Sequence, residues 1–481
     1  MDTPIEMMSK ARAAQISWGQ QSASARCSVL RRLRLQIAEK RDEIVDIVCK
    51  ETGKPPLDAL GGDVLVTLEQ LRYYEGRATR LLRLRKVGKP VLLFHGTRFY
   101  EEFEPHGVVL IYAPANYPFQ LSVVPMATAL FAGNAVIVKC SERTPQVARL
   151  IRGLCEKANL PRDLVQIADD GPESAVAYID AHPDFVFFTG CSENGRAVAK
   201  RSADQLIPTA LELGGKDAAA VFADCNIERA IEGVLYGAFS NAGQVCVGIK
   251  RLYAERSIYS EFLARLTAEI QRLRVGQSAD SDLGTLQGIN ANDRLAAQVE
   301  DALRRGATLN HPQKDELDGR APILLSDVPA ESRILSEETF GPVLCTAPFK
   351  DEAEAISLMN SSPFALSASV WTGTPSRAKR VAKAVSAGSC AVNDVIRNIG
   401  NPHASFGGNR QSGYGRYHGP QGLYTFSRIK SVMVASGKAS REINWFPFKP
   451  KTFDRLNMFL GIRHEKGGWL SLFRRLFIFT L

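Results

Sequence analysis

The feature that most constrains the fold of this chain is an alternation. The apolar runs VVLIYA (108–113), AVIVK (135–139), VQIA (165–168), FVFFTG (185–190) and PTALEL (208–213) take turns with helix-like stretches at 122–132, 144–158, 172–181 and 193–202. Short strands buried on both faces, each returned by a helix of about a dozen residues, predict a doubly wound parallel sheet, a Rossmann-like α/β unit. After ELGGK (212–216) the rhythm resumes with AAAVFA (218–223), a helix at 226–239, RLYAE (251–255) and a helix at 257–273, which predicts a second α/β lobe. Ahead of both, residues 2–85 carry Ile44, Ile47 and Val48 at helical spacing and read as helices. The stretch 90–114 turns β-branched and aromatic around a glycine, which predicts a hairpin and then a buried strand. Residues 275–333 are rich in Gly, Asp, Asn and Gln and predict surface loops around one helix.

A chain of 481 residues fits two or three domains, and 45% hydrophobic with 23% charged residues is the balance of a soluble enzyme. The nine cysteines are scattered and never spaced C-x-x-C, so reduced thiols in the cytoplasm are expected rather than a disulfide framework. The seven histidines form no ligand pair, and no metal site is expected. The first residues lack the apolar run of a signal peptide, so the folded protein is expected to begin at once. The net charge of +9 gathers at the end: from 437 onward there are nine basic and three acidic side chains.

Four stretches can carry chemistry. In FTGCSENG, Gly190 follows a strand and Gly195 lies in the first turn of the next helix, where backbone N–H groups and the helix dipole favour a phosphate; an ordinary strand-to-helix turn is the plainer reading. In SNAGQVCVG, Cys246 sits among Asn, Gly and Gln, poor core formers that suggest an exposed, loop-borne thiol, although most lone cysteines are core filler. In LELGG, Glu212 ends an apolar strand, where burial raises basicity and suits a general base. In PANYP, the amide of Asn116 is a neutral donor able to meet an oxyanion, unless the segment is only a turn.

Together PANYP, VKCSE (138–142), FTGCSENG, ELGGK, NAGQVC (241–246), EETFGPV (337–343) and FGGNRQSGYG (406–415) resemble the aldehyde dehydrogenase superfamily over nearly the whole chain, and YHGPQGLYTFS (417–427) is similar to its class 3 and fatty aldehyde branch. The resemblance implies NAD(P)-dependent oxidation of an aldehyde to its acid, with Cys246 as nucleophile, Asn116 and the Cys246 backbone N–H around the oxyanion, and Glu212 as the base that hydrolyses the thioester. It implies that Lys139 and Glu142 bind the adenosine ribose, that Gly190 and Gly195 flank the pyrophosphate, and that Glu338 and Phe340 position the nicotinamide ribose. Glu142 favours NAD, with NADP possible. Ala115, Cys140 and Cys191 depart from the family's usual Trp, Pro and Ser or Thr, which leaves the catalytic groups intact and bears on cofactor contacts.

The implied organisation is an NAD(P)-binding domain at 1–89 and 105–213, oligomerisation segments at 90–104 and 425–436 pairing in a homodimer, and a catalytic domain at 214–424. A basic, aromatic tail follows at 437–481. Within it Trp469, Leu472, Phe473, Leu476 and Phe477 share one face of a helix opposite Arg474 and Arg475, too short to span a bilayer but suited to lie in the headgroup plane. Peripheral contact with the cytoplasmic membrane face, and a long-chain or isoprenoid apolar aldehyde as substrate, are the expectations. The alternatives are a semialdehyde dehydrogenase and a catalytically silent, nucleic-acid-binding use of the fold; the three catalytic side chains together speak against the latter, and no nucleic acid partner is expected.

Overall fold

The computed structural model describes residues 2–88, 96–168, 171–286, 291–312, 321–442 and 444–464. They fall into two compact units, 1–83 with 103–428, and 84–102 with 429–481.

The first unit opens with the predicted helices. Pro4–Gly19 starts on a capping box between Thr3 and Glu6, and Ala23–Glu39 starts on Ser22, whose hydroxyl accepts the Ala25 N–H. Arg41–Thr52 ends at Gly53, which takes φ +68° as its N–H returns to the Cys49 carbonyl. Leu30, Leu33 and Ile37 at helical spacing, with Ile44 and Val48, are buried with Leu71, Tyr74 and Ala78 of Val66–Leu81 in one core. Between Pro56 and Val66 the helix widens into a π turn, Ala59–Leu65.

The predicted doubly wound sheet has six strands in the order 413–414, 209–212, 185–189, 108–112, 135–139, 165–168, parallel except for the first. Val108–Tyr112 and Ala135–Lys139 are buried at every position, as uninterrupted apolar runs require. Gln120–Ala132, apolar but for Gln120, Ser122 and Thr128, is buried along its whole length. From Val108–Tyr112 the chain winds outward one way through Ala135–Lys139 and Val165–Ala168, then returns to the other side through Phe185–Thr189. That reversal makes a switch point, and the crevice past the carboxyl ends of such strands is where α/β proteins bind ligands.

The predicted second lobe is a seven-stranded sheet ordered 308–311, 323–326, 343–349, 249–255, 217–221, 367–371, 389–392, parallel except for its first strand. Here the reading of 275–333 as loops around one helix needs correction. The helix is there, Ala291–Arg304, but Thr308–His311 and Ile323–Ser326 are strands, and the second is fully buried. Its four residues, ILLS, follow a long polar stretch, so composition averaged over the region hid a core strand.

A three-stranded sheet follows, most of it in the second unit: Arg85–Val87 pairs antiparallel with Phe99–Glu101, and Thr97–Pro105 is the middle strand, with Ser427–Ala435 on its other side. The described limb of the hairpin therefore starts before residue 90; residues 89–95 lie outside the described residues. Thr425, expected at the start of the later strand, instead ends the helix Gly419–Thr425. A helix Pro450–His464 follows, and the helix expected around Trp469 lies outside the described residues. Among the described residues no helix is long and apolar enough to cross a membrane.

Candidate active site

Asn116, Lys139, Gly190 and Glu212 each stand at, or just past, the carboxyl end of one of four adjacent parallel strands. Asn116 lies in the turn between Tyr112 and the helix that starts at Gln120. Asp63 shapes that turn: its Oδ1 accepts the N–H groups of Phe119 at 3.1 Å and Gln120 at 3.2 Å. The Asn116 carbonyl accepts from Lys54 Nζ at 2.7 Å and from Asn241 Nδ2 at 3.2 Å, while its own Nδ2 donates to the Gln244 carbonyl at 3.0 Å.

Gln244 leads to Cys246 through a strained turn. The helix Ile227–Phe239 ends, and Asn241 (φ 50°), Ala242 (φ 52°) and Gly243 (φ 69°) are all left-handed, which costs roughly 1–2 kcal/mol at each residue bearing a Cβ. Only glycine fits at 243, since a Cβ there would strike the Gly341 carbonyl. Surrounding bonds hold the strain: the Asn241 N–H donates to Asp58 at 3.0 Å, Gln244 Nε2 donates to the carbonyls of Asn241 (3.0 Å) and Thr285 (3.1 Å), and Lys250 Nζ donates to those of Gly243 and Gly341 at 2.7 Å each. The expectation of an exposed loop is corrected here. Residues 240–245 are buried, and the side-chain amides of Asn241 and Gln244 donate to backbone carbonyls of Asn116, Gln244, Asn241 and Thr285, while the Ser240 hydroxyl has no partner among the described residues.

Cys246 itself is half-buried. Its thiol is pushed up to about 12, first by burial and then by the charges of Asp217 and Glu212, while the Val247 N–H favours the thiolate. Glu212 ends its strand at 4% exposure, and neither carboxylate oxygen has a hydrogen-bond partner among the described residues. Burial raises its pKa well above the usual carboxylate range, and the Arg416 guanidinium works against that rise. Arg416 is fixed by the carbonyls of Gly408 (2.8 Å) and Gly415 (2.6 Å) and by Asn409 Oδ1 (2.7 Å). A Cβ on Gly407 would stand 2.9 Å from Glu212 Oε1, so that glycine leaves room for the carboxyl.

The two glycines after Glu212 explain the ELGGK run. A Cβ on Gly214 would strike the Glu338 carboxyl, and one on Gly215 would strike the Cys246 carbonyl. Five residues of sequence thus bring the Glu212 carboxyl, the Cys246 loop and the loop of Glu338 together. Burial raises Glu338 to about 7, against the opposing charges of Lys216, Arg294 and Lys250. Its loop is pinned through Thr339, which accepts from Lys216 Nζ and donates to Gln298 at 2.7 Å. The Phe340 ring remains 39% exposed.

The other nucleotide candidates line the switch-point side. Lys139 is buried, its Nζ donating to the Cys140 carbonyl at 3.4 Å. The Glu142 side chain is exposed beside Arg143, 3.9 Å away. The Gly190 N–H donates to the Glu212 carbonyl at 3.1 Å, and a Cβ there would sit 2.7 Å from Phe188 Cζ. Gly195, in the first turn of Ser192–Ala203, faces Leu213 so closely that a Cβ would stand 2.4 Å from its Cδ2, so a larger residue there would have to push that side chain aside. Sequence reasoning did not single out Lys54, Asp63, Lys250 or Arg416. Only Arg416 had a local signal, since it directly follows FGGNRQSGYG.

Catalytic-type groups gathered beside the switch point of a doubly wound sheet define a nucleotide-dependent α/β enzyme class. The family model "Aldehyde dehydrogenase family" matches residues 4–432, and the chain belongs to that family: it is an aldehyde-oxidising dehydrogenase. It is 40% identical over 470 residues to 4,4'-diapolycopene aldehyde oxidase of Methylomonas sp., covering 98% of this chain and 89% of that protein. It is 34% identical to 2-hydroxymuconic semialdehyde dehydrogenase of Pseudomonas sp. (strain CF600), covering 87% and 88%. Among solved structures, betaine aldehyde dehydrogenase of Staphylococcus aureus in complex with NAD+ superposes with a TM-score of 0.85 at 28% identity, covering 92% and 89%.

Proposed function

We propose that the chain oxidises a long, apolar aldehyde of isoprenoid or fatty type to its free carboxylic acid, using NAD with NADP as a possible substitute. The observation that carries the chemistry is the buried, unpartnered Glu212 carboxyl at one site with Cys246 and Asn116. The Cys246 thiolate attacks the aldehyde carbon, forming the C–S bond and moving the carbonyl electrons onto oxygen. One N–H of Asn116 is engaged by Gln244, and the second is assigned to that oxyanion, with the Cys246 backbone N–H. A bound NAD(P) supplies the acceptor for the hydride leaving that carbon and a cationic ring that favours the thiolate. Glu212 then takes a proton from water, the hydroxide attacks the thioester, the C–S bond breaks, and the acid leaves.

The residues present suit such a cofactor. Lys139 and Gly190 stand at the carboxyl ends of the two strands on either side of Val108–Tyr112, Glu142 follows Lys139, Gly195 lies at the start of the next helix, and Glu338 is a half-buried carboxyl in a loop anchored by two lysines. We assign the ribose of the adenosine to Lys139 and Glu142, the pyrophosphate to the Gly190–Gly195 turn and the nicotinamide ribose to Glu338 and Phe340.

The substrate class rests on the tail. The family match ends at 432, whereas similarity to the diapolycopene enzyme spans 98% of the chain and therefore includes most of 437–481. Trp445, Phe446, Phe448 and Phe453 are exposed there beside Lys449, Lys451 and Arg455. An aromatic and basic surface of this kind suits anionic lipid headgroups, at the edge of the hydrocarbon layer into which an apolar aldehyde partitions. We read the tail as a peripheral membrane contact at the cytoplasmic face, and the strand pairing of the second unit as the seat of a homodimer. The semialdehyde relative supports a second reading. NADH formation from a panel of long-chain, aromatic and carboxylate-bearing aldehydes, with NAD and NADP compared, separates the two: preference for a short semialdehyde would overturn the apolar assignment.

A further inference from the structure

We infer that Lys54 is a positioning residue for this reaction: it closes a ring of hydrogen bonds that fixes the Asn116 amide against the Cys246 turn. The ring can be walked in both sheets' connecting segments. Asn116 Nδ2 donates to the Gln244 carbonyl (3.0 Å), Gln244 Nε2 to the Thr285 carbonyl (3.1 Å), and the Thr285 N–H to the Gly53 carbonyl (3.2 Å). The covalent step from Gly53 to Lys54 follows, and Lys54 Nζ donates to the Asn116 carbonyl (2.7 Å), returning to the start.

Lys54 is held rigidly at both ends. Its backbone follows the left-handed Gly53, and Gly284 packs so closely that a Cβ there would stand 2.8 Å from Lys54 Cα. Its Nζ pairs with Asp63 Oδ2 at 2.8 Å, with both side chains wholly buried, and lies 3.8 Å from the centre of the Tyr117 ring. Asp63 in turn caps Phe119 and Gln120. The pair therefore grips four of the five residues from 116 to 120. A buried ion pair is a poor device for stability, because desolvating both charges consumes what their attraction returns; its return here is geometry. Catalysis needs a donor aimed at the oxyanion to within a fraction of an ångström, and Lys54 supplies that aim without touching the substrate.

The inference rests on the proposed oxyanion role of Asn116, and a double-mutant cycle separates the two. Lys54→Met, Asn116→Ala and their combination are assayed for kcat and for the KM of NAD and aldehyde. Lys54→Met is expected to lower kcat on the order of tenfold to a hundredfold with the KM for NAD within about twofold, yet to cost under about threefold when Asn116 is already Ala. Equal losses in both backgrounds, or an unchanged kcat in Lys54→Met, overturn the positioning role. An Asn116→Ala enzyme with full kcat overturns the oxyanion assignment and the positioning role with it. Should Lys54→Met not fold, Lys54→Met/Asp63→Asn removes both charges, leaves an amide oxygen for Phe119 and Gln120, and carries the same expectations.

Discussion

The side-chain amide of Asn116 donates to the Gln244 carbonyl across 3.0 Å, tying the turn that leaves one sheet to the turn that enters a strand of the other. Asn116→Asp keeps the shape and replaces the donor by an acceptor that faces another acceptor. We expect kcat to fall on the order of a hundredfold or more with little change in the KM for NAD, and stability to fall by about 1–3 kcal/mol. Steady-state kinetics with a denaturation curve checks both.

Gly215 meets the Cys246 loop from the other side, where a Cβ would strike the Cys246 carbonyl. Gly215→Ala is expected to fold, with a Tm lower by several degrees, and to lose most of its activity as Cys246 shifts. An alanine variant of full activity would show that the loop gives way freely.

Glu212→Gln separates the two halves of the reaction. The variant is expected to form close to one equivalent of NADH per site in a rapid burst and then turn over slower by a factor on the order of a hundred to ten thousand, because the acyl enzyme waits for an activated water. Stopped-flow absorbance resolves the burst, and its absence would move Glu212 out of the hydrolytic step.

The raised thiol sets the pH dependence. With Cys246 near 12, the cofactor-free site rests with its thiol protonated at neutral pH, while burial biases Glu212 toward its protonated form. Since the thiolate is the reactive form, alkylation of Cys246 by iodoacetamide should rise about tenfold per pH unit from 7 to 9, and NAD should accelerate it at fixed pH. Peptide mass spectrometry measures the rate; a plateau already at pH 7 would contradict the burial argument.

Removal of residues 441–481 deletes the exposed aromatic and basic surface. The truncated enzyme is expected to stay in solution during sedimentation with anionic vesicles that pull down the full chain, and to keep its rate on a short, soluble aldehyde. Equal sedimentation of both forms would remove the membrane role.

How much of this was legible beforehand depended on range. Val108–Tyr112, Ala135–Lys139 and the helices between them declare themselves through local apolar patterning, so the parallel strands of the first sheet are legible, whereas the second sheet shows itself only through Asp217–Val221 and Ile249–Glu255; Glu212 stands out as a carboxylate closing an apolar strand. The four-residue strand Ile323–Ser326 is not legible, because its pattern is shorter than the polar composition around it. Cys246 was placed in the right kind of segment for the wrong reason: its Asn, Gly and Gln neighbours are buried, and their hydrogen bonds go to residues far along the chain. Lys54 was invisible for the same cause, since its meaning lies in a carbonyl 62 residues away.

Glu212 ends the last parallel strand of the first sheet, Asp217 opens the first strand of the second, and Cys246 sits in the turn that leads through Val247 and Gly248 into another strand of that second sheet. On the proposed roles of Glu212 and Cys246, neither sheet alone carries both reacting groups. During refolding from denaturant, secondary structure would return as each sheet forms, whereas turnover would wait for the two to dock; the lag between circular dichroism and NADH production is then a clock for interlobe assembly.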